Sequence, residues 1–300
     1  MVVGRAPGVP VMTRRRRTGY LAVAAVAGVT SVLTACGAGP PPSAHPAASY
    51  DAEVRADSPA LYLPLGTGRA DQRSAGAVKA TRHHAPGVAT LPNGDRATRF
   101  DGVSQYVEVP DGDRLSVTTT GELTVEAWMR PDTLTFARTA GAGYVNWLGK
   151  VSDKGVRAEW LARMYSRDNK EARANRISGY VFNRGGGLGA GSYFEDPVRP
   201  GEWIHFALVV NTREKSADYP TGYVKVYKNG VLRDQDALDD YDITPSNTDA
   251  PLRIGAAGTK SFFKGAIGKV AVYDSEVSQS HLAAHYRAMT AGPGESATGT

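Results

Sequence analysis

The chain reads as an all-β protein, a two-sheet antiparallel jelly-roll sandwich with a short C-terminal helix. Three observations carry that reading. The runs GEWIHFALVV (Gly201 to Val210) and GYVKVYKNG (Gly222 to Gly230) are long and mostly apolar, and Asn-Gly closes the second, as adjacent strands with a tight turn require. Further short apolar runs, punctuated by Gly, Pro, Asn and Asp, recur from Tyr50 to about Met289. Helical spacing is confined to one late segment, where Ser278 caps a stretch carrying Leu282, Tyr286 and Met289.

Residues 1–35 read as an export leader. The first 36 residues hold five arginines, Arg5 and Arg14 to Arg17, and no acid. Subtracting those five from 35 basic residues leaves 30 against 30 acidic ones, so the remainder is neutral. It has no basic excess of the kind that nucleic-acid binding needs. The apolar stretch Tyr20 to Ala35 is 16 residues long, shorter than the roughly 20 of a membrane-spanning helix. It ends in Leu33-Thr34-Ala35-Cys36, which matches the lipobox of bacterial lipoproteins. Cys36 is the chain's one cysteine, so it has no disulfide partner within the chain, whereas a lipidation site needs one thiol. Each buried acyl CH₂ adds about 0.8 kcal/mol of membrane affinity, and two or more chains would anchor the protein stably. The expected location is therefore exported, on the outer face of the bacterial cytoplasmic membrane, with the membrane as a partner through the lipid. The start at Met1 or Met12 and the export route, general secretory or twin-arginine, stay open.

Residues 36–49, the cysteine followed by a Gly/Pro/Ala-rich run, read as a flexible tether. Residues 50–290 read as the sandwich and 291–300 as a disordered tail. Strands are predicted at Ala60 to Leu65, Ala97 to Phe100, Tyr106 to Val109, Leu123 to Arg130, Tyr144 to Lys150 and Glu159 to Tyr165. Arg176 to Phe182, Trp203 to Asn211, Val224 to Lys228, Leu252 to Gly255 and Gly265 to Tyr273 complete the set.

Several runs resemble the laminin G-like branch of the concanavalin A-like lectin/glucanase superfamily. They are Phe100-Asp101-Gly102, Thr124-Val125-Glu126-Ala127-Trp128, Trp147-Leu148-Gly149-Lys150, the 201–230 pair and Phe263-Lys264-Gly265-Ala266-Ile267. The resemblance implies a jelly roll whose partner is a carbohydrate or glycopolymer, or else a surface protein. It also implies calcium, Ca²⁺, as the customary ion, with Asp101 at one position that supplies a ligand. The late strand departs from the pattern, since Ile267 is followed by Gly268-Lys269 where many relatives have Ile-Asp. Glucanases of the superfamily carry Glu-x-Asp-x-x-Glu on one strand face, and no such run occurs here. Glu122 with Glu126, and Glu195 with Asp196, lack the spacing. The expectation is a non-enzymatic binding module, with a glycoside hydrolase as the less favoured alternative.

Alternation places Glu126, Trp128 and Arg130 on one strand face, Glu159, Arg163 and Tyr165 on another, and Arg176, Ser178 and Tyr180 on a third. If these faces line one concave sheet, Glu126, Trp128, Arg163, Tyr165, Arg176 and Tyr180 make a groove that stacks and hydrogen-bonds sugars. The competing reading makes the tryptophans core and the charges cross-strand pairs, the commoner outcome in sandwiches. The glycine run 185–191 lacks the strand-then-helix frame of a dinucleotide site and reads as an edge loop. Asp234, Asp236, Asp239, Asp240 and Asp242 read as a solvated acidic loop, and His281 with His285 lack the frame of a zinc protease.

Overall fold

The computed structural model describes residues 49–66, 79–136, 143–152, 158–183, 186–258 and 261–291. The leader, Cys36, nearly all of the expected tether and the tail beyond residue 291 lie outside the described residues. So does the start of the glycine run. No described helix is long and apolar enough to cross a membrane.

The chain forms α1 (Tyr50–Ala56), β1 (Leu61–Leu63), β2 (Thr81–His83), β3 (Gly87–Thr90), β4 (Arg96–Asp101), β5 (Tyr106–Val109), α2 (Val117–Thr120), β6 (Glu122–Pro131), β7 (Tyr144–Val151) and β8 (Ala158–Tyr165). It continues through β9 (Ile177–Val181), β10 (Ala190–Phe194), β11 (Ile204–Asn211), β12 (Tyr223–Lys228), β13 (Val231–Ala237), β14 (Leu252–Ile254), β15 (Lys264–Tyr273) and α3 (Gln279–Thr290). One sheet has eight strands in the order β13-β12-β11-β6-β15-β4-β3, with β1 also paired to β15; the other has seven, β10-β9-β8-β7-β14-β5-β2. The pairings are antiparallel, as in the expected jelly roll.

Period-two alternation builds the core. Leu123, Val125, Ala127 and Met129 of β6 and Ile204, Phe206, Leu208 and Val210 of β11 point inward from the larger sheet. Trp147, Trp160, Ala162, Met164, Leu252 and Ile254 meet them from the smaller one. At Gly179 the sheets approach so closely that a Cβ would lie 2.5 Å from Leu208 Cδ1. A second apolar cluster lies on the outer face of the larger sheet. There Tyr62, Trp128, Val209 and Tyr273 are covered by Tyr50 and Val54 of α1 and by Leu282 and Met289 of α3.

Two devices hold this second layer. Ser49 accepts from the Ala52 N–H as N-cap of α1, and Asp51 and Glu53 complement the first turn. Lys269 sits at a bulge in β15 between Gly268 and Ala271, where the strand passes from pairing with β4 to pairing with β1. Its buried Nζ meets Asp51 Oδ1 at 2.5 Å and Asp95 Oδ2 at 2.7 Å, which ties α1 to the sheet. Lys269, the cation next to Gly268 in the late strand, is thus a structural tie.

The structure adds α1, α2, β2, β3, β10 and β13 to the predicted elements. β10 begins within the glycine run, so among the described residues the edge-loop reading holds over 186–189 alone. β13 carries Asp234 and Asp236, which are not in a solvated loop. Asp234 Oδ2 accepts the Tyr193 N–H at 3.0 Å and Asp236 Oδ2 the Ser192 hydroxyl at 3.4 Å, so β13 caps the free edge of β10 with side chains.

Candidate functional site

The outer face of the seven-stranded sheet carries a cluster of arginine and tyrosine. Arg163 on β8 stands opposite Asn146 on β7 and Ser178 on β9. Its Nε donates to Asn146 Oδ1 at 2.8 Å and its Nη1 to the Tyr165 hydroxyl at 3.2 Å. The guanidinium carbon lies 4.1 Å from the ring centre of Tyr144, 5.1 Å from Tyr180 and 5.8 Å from Tyr165. The hydroxyls of Tyr165 and Tyr180 are 3.2 Å apart, and Arg173 donates to the Tyr165 hydroxyl at 3.2 Å.

Glycine supplies the bed on which this cluster rests. A Cβ at Gly191 of β10 would lie 2.3 Å from Tyr180 Cδ1, so the ring fits only because that residue has no side chain. Beyond it, Arg176 stacks on Tyr193, its guanidinium carbon 3.3 Å from the ring centre, while its Nε donates to Glu195 at 2.9 Å. Burial pushes the Tyr180 phenol up to about 12, with neighbouring Tyr165 adding to the rise. Burial acts the same way on Tyr165, but the Arg163 charge and the hydrogen bonds from Tyr180 and Arg163 outweigh it and hold this phenol below its ordinary value.

The far half of the same face carries a smaller aromatic group. The rings of His83 on β2 and Tyr106 on β5 stack at 4.2 Å, with Phe262 at 6.3 Å from Tyr106 and the Arg253 guanidinium at 5.7 Å. Arg253 Nε donates to Glu108 at 2.8 Å. Side chains of this kind therefore run from β2 to β10, six strand spacings or about 29 Å.

Four of the six expected groove residues, Arg163, Tyr165, Arg176 and Tyr180, come together here. Glu126 and Trp128 do not join them, because β6 belongs to the other sheet and its outer face is roofed by α1 and α3. Both are buried. Glu126 Oε2 accepts from His205 Nε2 at 2.9 Å and His285 Nδ1 at 3.1 Å, and its Oε1 accepts from the Tyr273 hydroxyl at 2.6 Å. Burial alone would raise this carboxyl, but the two imidazoles overcome it and bring it down to about 2. The other nitrogen of His285, Nε2, faces Asp57 at 3.3 Å. Burial opposes its charge, yet Glu126 and Asp57 together raise it above the ordinary histidine value. The ring of Trp128 lies near-parallel to those of His205 at 5.3 Å and Tyr286 at 5.7 Å, and the latter two are 6.4 Å from each other, so the three rings form a triangle. These residues form a polar keystone beneath the helices.

Sequence reasoning missed Tyr144, Asn146, Arg173 and Tyr193 as members of the cluster. Tyr144 and Asn146 were legible in principle, since they alternate on β7 in the same parity as Arg163 and Tyr165, their partners in register.

Asp101 serves the turn that follows β4. Its Oδ1 accepts the N–H groups of Val103, Ser104 and Gln105 at 2.8, 3.1 and 3.2 Å, a side-chain cap on the turn after β4. Although burial pulls the other way, those N–H groups hold the carboxyl below its usual range. Oδ1 is thus committed to the turn. Among the described residues no group of three His, Cys, Asp or Glu is placed to hold a metal ion.

Two antiparallel sheets with such a face define a lectin-like jelly roll. A laminin G family model, described as the concanavalin A-like lectin/glucanases superfamily, matches residues 101–283, more than half of the chain. The protein belongs to that superfamily. No curated protein matches it in sequence.

Among solved structures it is similar to domain 4 of AbnA, an extracellular arabinanase from Geobacillus stearothermophilus, in complex with arabinotriose. The TM-score is 0.53 at 16% identity, over 75% of this chain and 97% of that one. It is also similar to the botulinum neurotoxin serotype D ligand-binding domain in complex with N-acetylneuraminic acid, with a TM-score of 0.56 and 12% identity over 80% of this chain. The chain spans 52% of that toxin domain and about half of the related botulinum neurotoxin domains it matches. At these identities the likeness concerns the fold.

Proposed function

We propose that the protein is a non-catalytic carbohydrate-binding module whose ligand, a glycan or envelope glycopolymer, lies across the outer face of the seven-stranded sheet. The observation that carries this reading is the cluster of Arg163, Tyr144 and Tyr180, partly exposed and seated on the buried Tyr165, with aromatic rings for stacking and fixed hydrogen-bonding groups beside them. The similar domains crystallised with arabinotriose and N-acetylneuraminic acid support it. The smaller group around Tyr106 would serve a second stretch of an extended chain.

The test is binding of the intact protein, in mild detergent, to immobilised cell-wall polysaccharides and a glycan array. Tyr180→Ala is expected to lower binding at least tenfold while the circular dichroism spectrum and melting temperature stay near those of the parent. Capture of an envelope protein together with silence toward all glycans would replace this reading with a protein-adhesion role.

We further propose, from Leu33-Thr34-Ala35-Cys36, that the module is held at the outer face of the cytoplasmic membrane by lipid on Cys36. Cys36→Ala is expected to abolish incorporation of labelled palmitate and release the protein from the membrane fraction. Unchanged labelling would refute the anchor.

A further inference from the structure

The cations near the cluster differ in how their charge is met. Arg176 pairs with Glu195 at 2.9 Å, Arg253 with Glu108 at 2.8 Å, Arg173 with Glu171 at 3.7 Å and the buried Lys150 with Glu159 at 3.0 Å. Arg163 has no carboxylate within ion-pair distance among the described residues, although it is half-buried in the middle of the cluster. Its neighbours satisfy it only in part. Of the five guanidinium N–H groups two are used, Nε on Asn146 and one on the Tyr165 hydroxyl, and the tyrosine rings meet the charge through their faces. Three N–H donors are left over by these bonds.

The guanidinium is also held in place before any ligand arrives. Stacking on Tyr144 at 4.1 Å and the bond to Asn146 fix its plane, so little side-chain freedom is left to lose on binding. A planar, oriented fork suits a carboxylate, which takes two parallel N–H bonds. The adjoining Tyr180 ring supplies the surface on which a sugar carrying that carboxylate stacks.

We infer that the ligand is an acidic polysaccharide, with a uronate-type carboxylate seated on Arg163 and its pyranose ring against Tyr180. This rests on the carbohydrate-binding reading above and adds the charge class of the sugar and the residue that selects it.

Affinity electrophoresis of the intact protein in mild detergent tests it, with polygalacturonate, the same polymer fully methyl-esterified, and a neutral arabinan in the gel. Retardation by polygalacturonate is expected at concentrations at least tenfold lower than for the esterified polymer or the arabinan, and it should weaken as salt rises. Arg163→Gln should remove the preference for the acid form, and Arg163→Lys should keep part of it, since the charge stays and the fork is lost. The comparison of acid with ester uses the unaltered protein, so it decides the matter even if Arg163→Gln fails to fold. Equal retardation by all three polymers would overturn the acidic preference and leave the carbohydrate reading standing. Absence of retardation by any of the three would overturn the acidic inference, and silence on the wider glycan panel would also remove the carbohydrate reading. Poly(glycerol phosphate), which carries charge without a sugar ring, should be retained more weakly than polygalacturonate; equal or stronger retention would refute the uronate assignment.

Discussion

Glu126 draws its partners from three elements besides its own strand, His205 on β11, Tyr273 on β15 and His285 on α3. Removing its charge leaves His285 buried with one carboxylate fewer, and breaking one side of a buried pair is costly. Glu126→Gln is expected to destabilise the fold by roughly 3 kcal/mol in urea titration. A loss well under 1 kcal/mol would show that the carboxylate is not the keystone described. Gly191 makes the opposite case, of a residue that matters through the absence of a side chain. Gly191→Ala drives a methyl into the space of Tyr180 Cδ1, and overpacking of this kind costs about 1–3 kcal/mol. Because the displaced ring belongs to the platform, the variant should lose glycan affinity beyond what its lower melting temperature explains. Strand alternation put Trp128 beside Glu126, and Tyr165 beside Arg163, correctly. It fixes which side of a strand a residue occupies, but not what lies outside that side, so a buried keystone and a partly exposed platform built on the buried Tyr165 looked alike.

Among the elements, α3 was legible because Ser278 caps it and Leu282 and Met289 recur at helical spacing. The seven-residue α1 was not, since its apolar residues Tyr50 and Val54 make only one helical repeat. β13 stayed hidden because an edge strand carries polar side chains that imitate a loop, and β10 because glycines precede and interrupt it. Docking of α3 should depend on pH through the groups facing His285. Glu126 is depressed, so its contribution is complete above its ordinary value of 4.5 and disappears as pH falls toward about 2. His285 is raised, so its contribution is complete below its ordinary value of 6.5 and is lost as pH rises through the higher folded value. The two together predict greatest helix protection between about 4.5 and 6.5. Hydrogen exchange of the α3 amides across pH, corrected for intrinsic rates, checks this. Protection that keeps rising above pH 7.5 would contradict it.

At the scale of the whole molecule, the two-sheet architecture and its approximate strand boundaries could be read from apolar runs and turn residues. The assignment of strands to sheets could not, because it is set by pairings between distant segments, such as β6 with both β11 and β15. The layering also gives the molecule a front and a back. One outer surface is closed by two helices around an ionised keystone, and the other presents arginine and tyrosine. Screening should therefore act on the front alone, since the keystone is out of reach of salt. Raising sodium chloride from 0.05 to 0.5 M is expected to weaken binding of an acidic glycan severalfold while moving the melting temperature little; a parallel loss of both would contradict the separation. The direction of chain entry carries a consequence of its own. The described chain begins at Ser49, the cap of α1, and α1 lies on the back. A force entering the chain at Ser49 is therefore taken up at the helix-covered surface. A load applied between Ser49 and the opposite outer face crosses the full thickness of the sandwich, and Asp51, clamped to both Lys269 and the Tyr62 hydroxyl, hands it from α1 to the sheet.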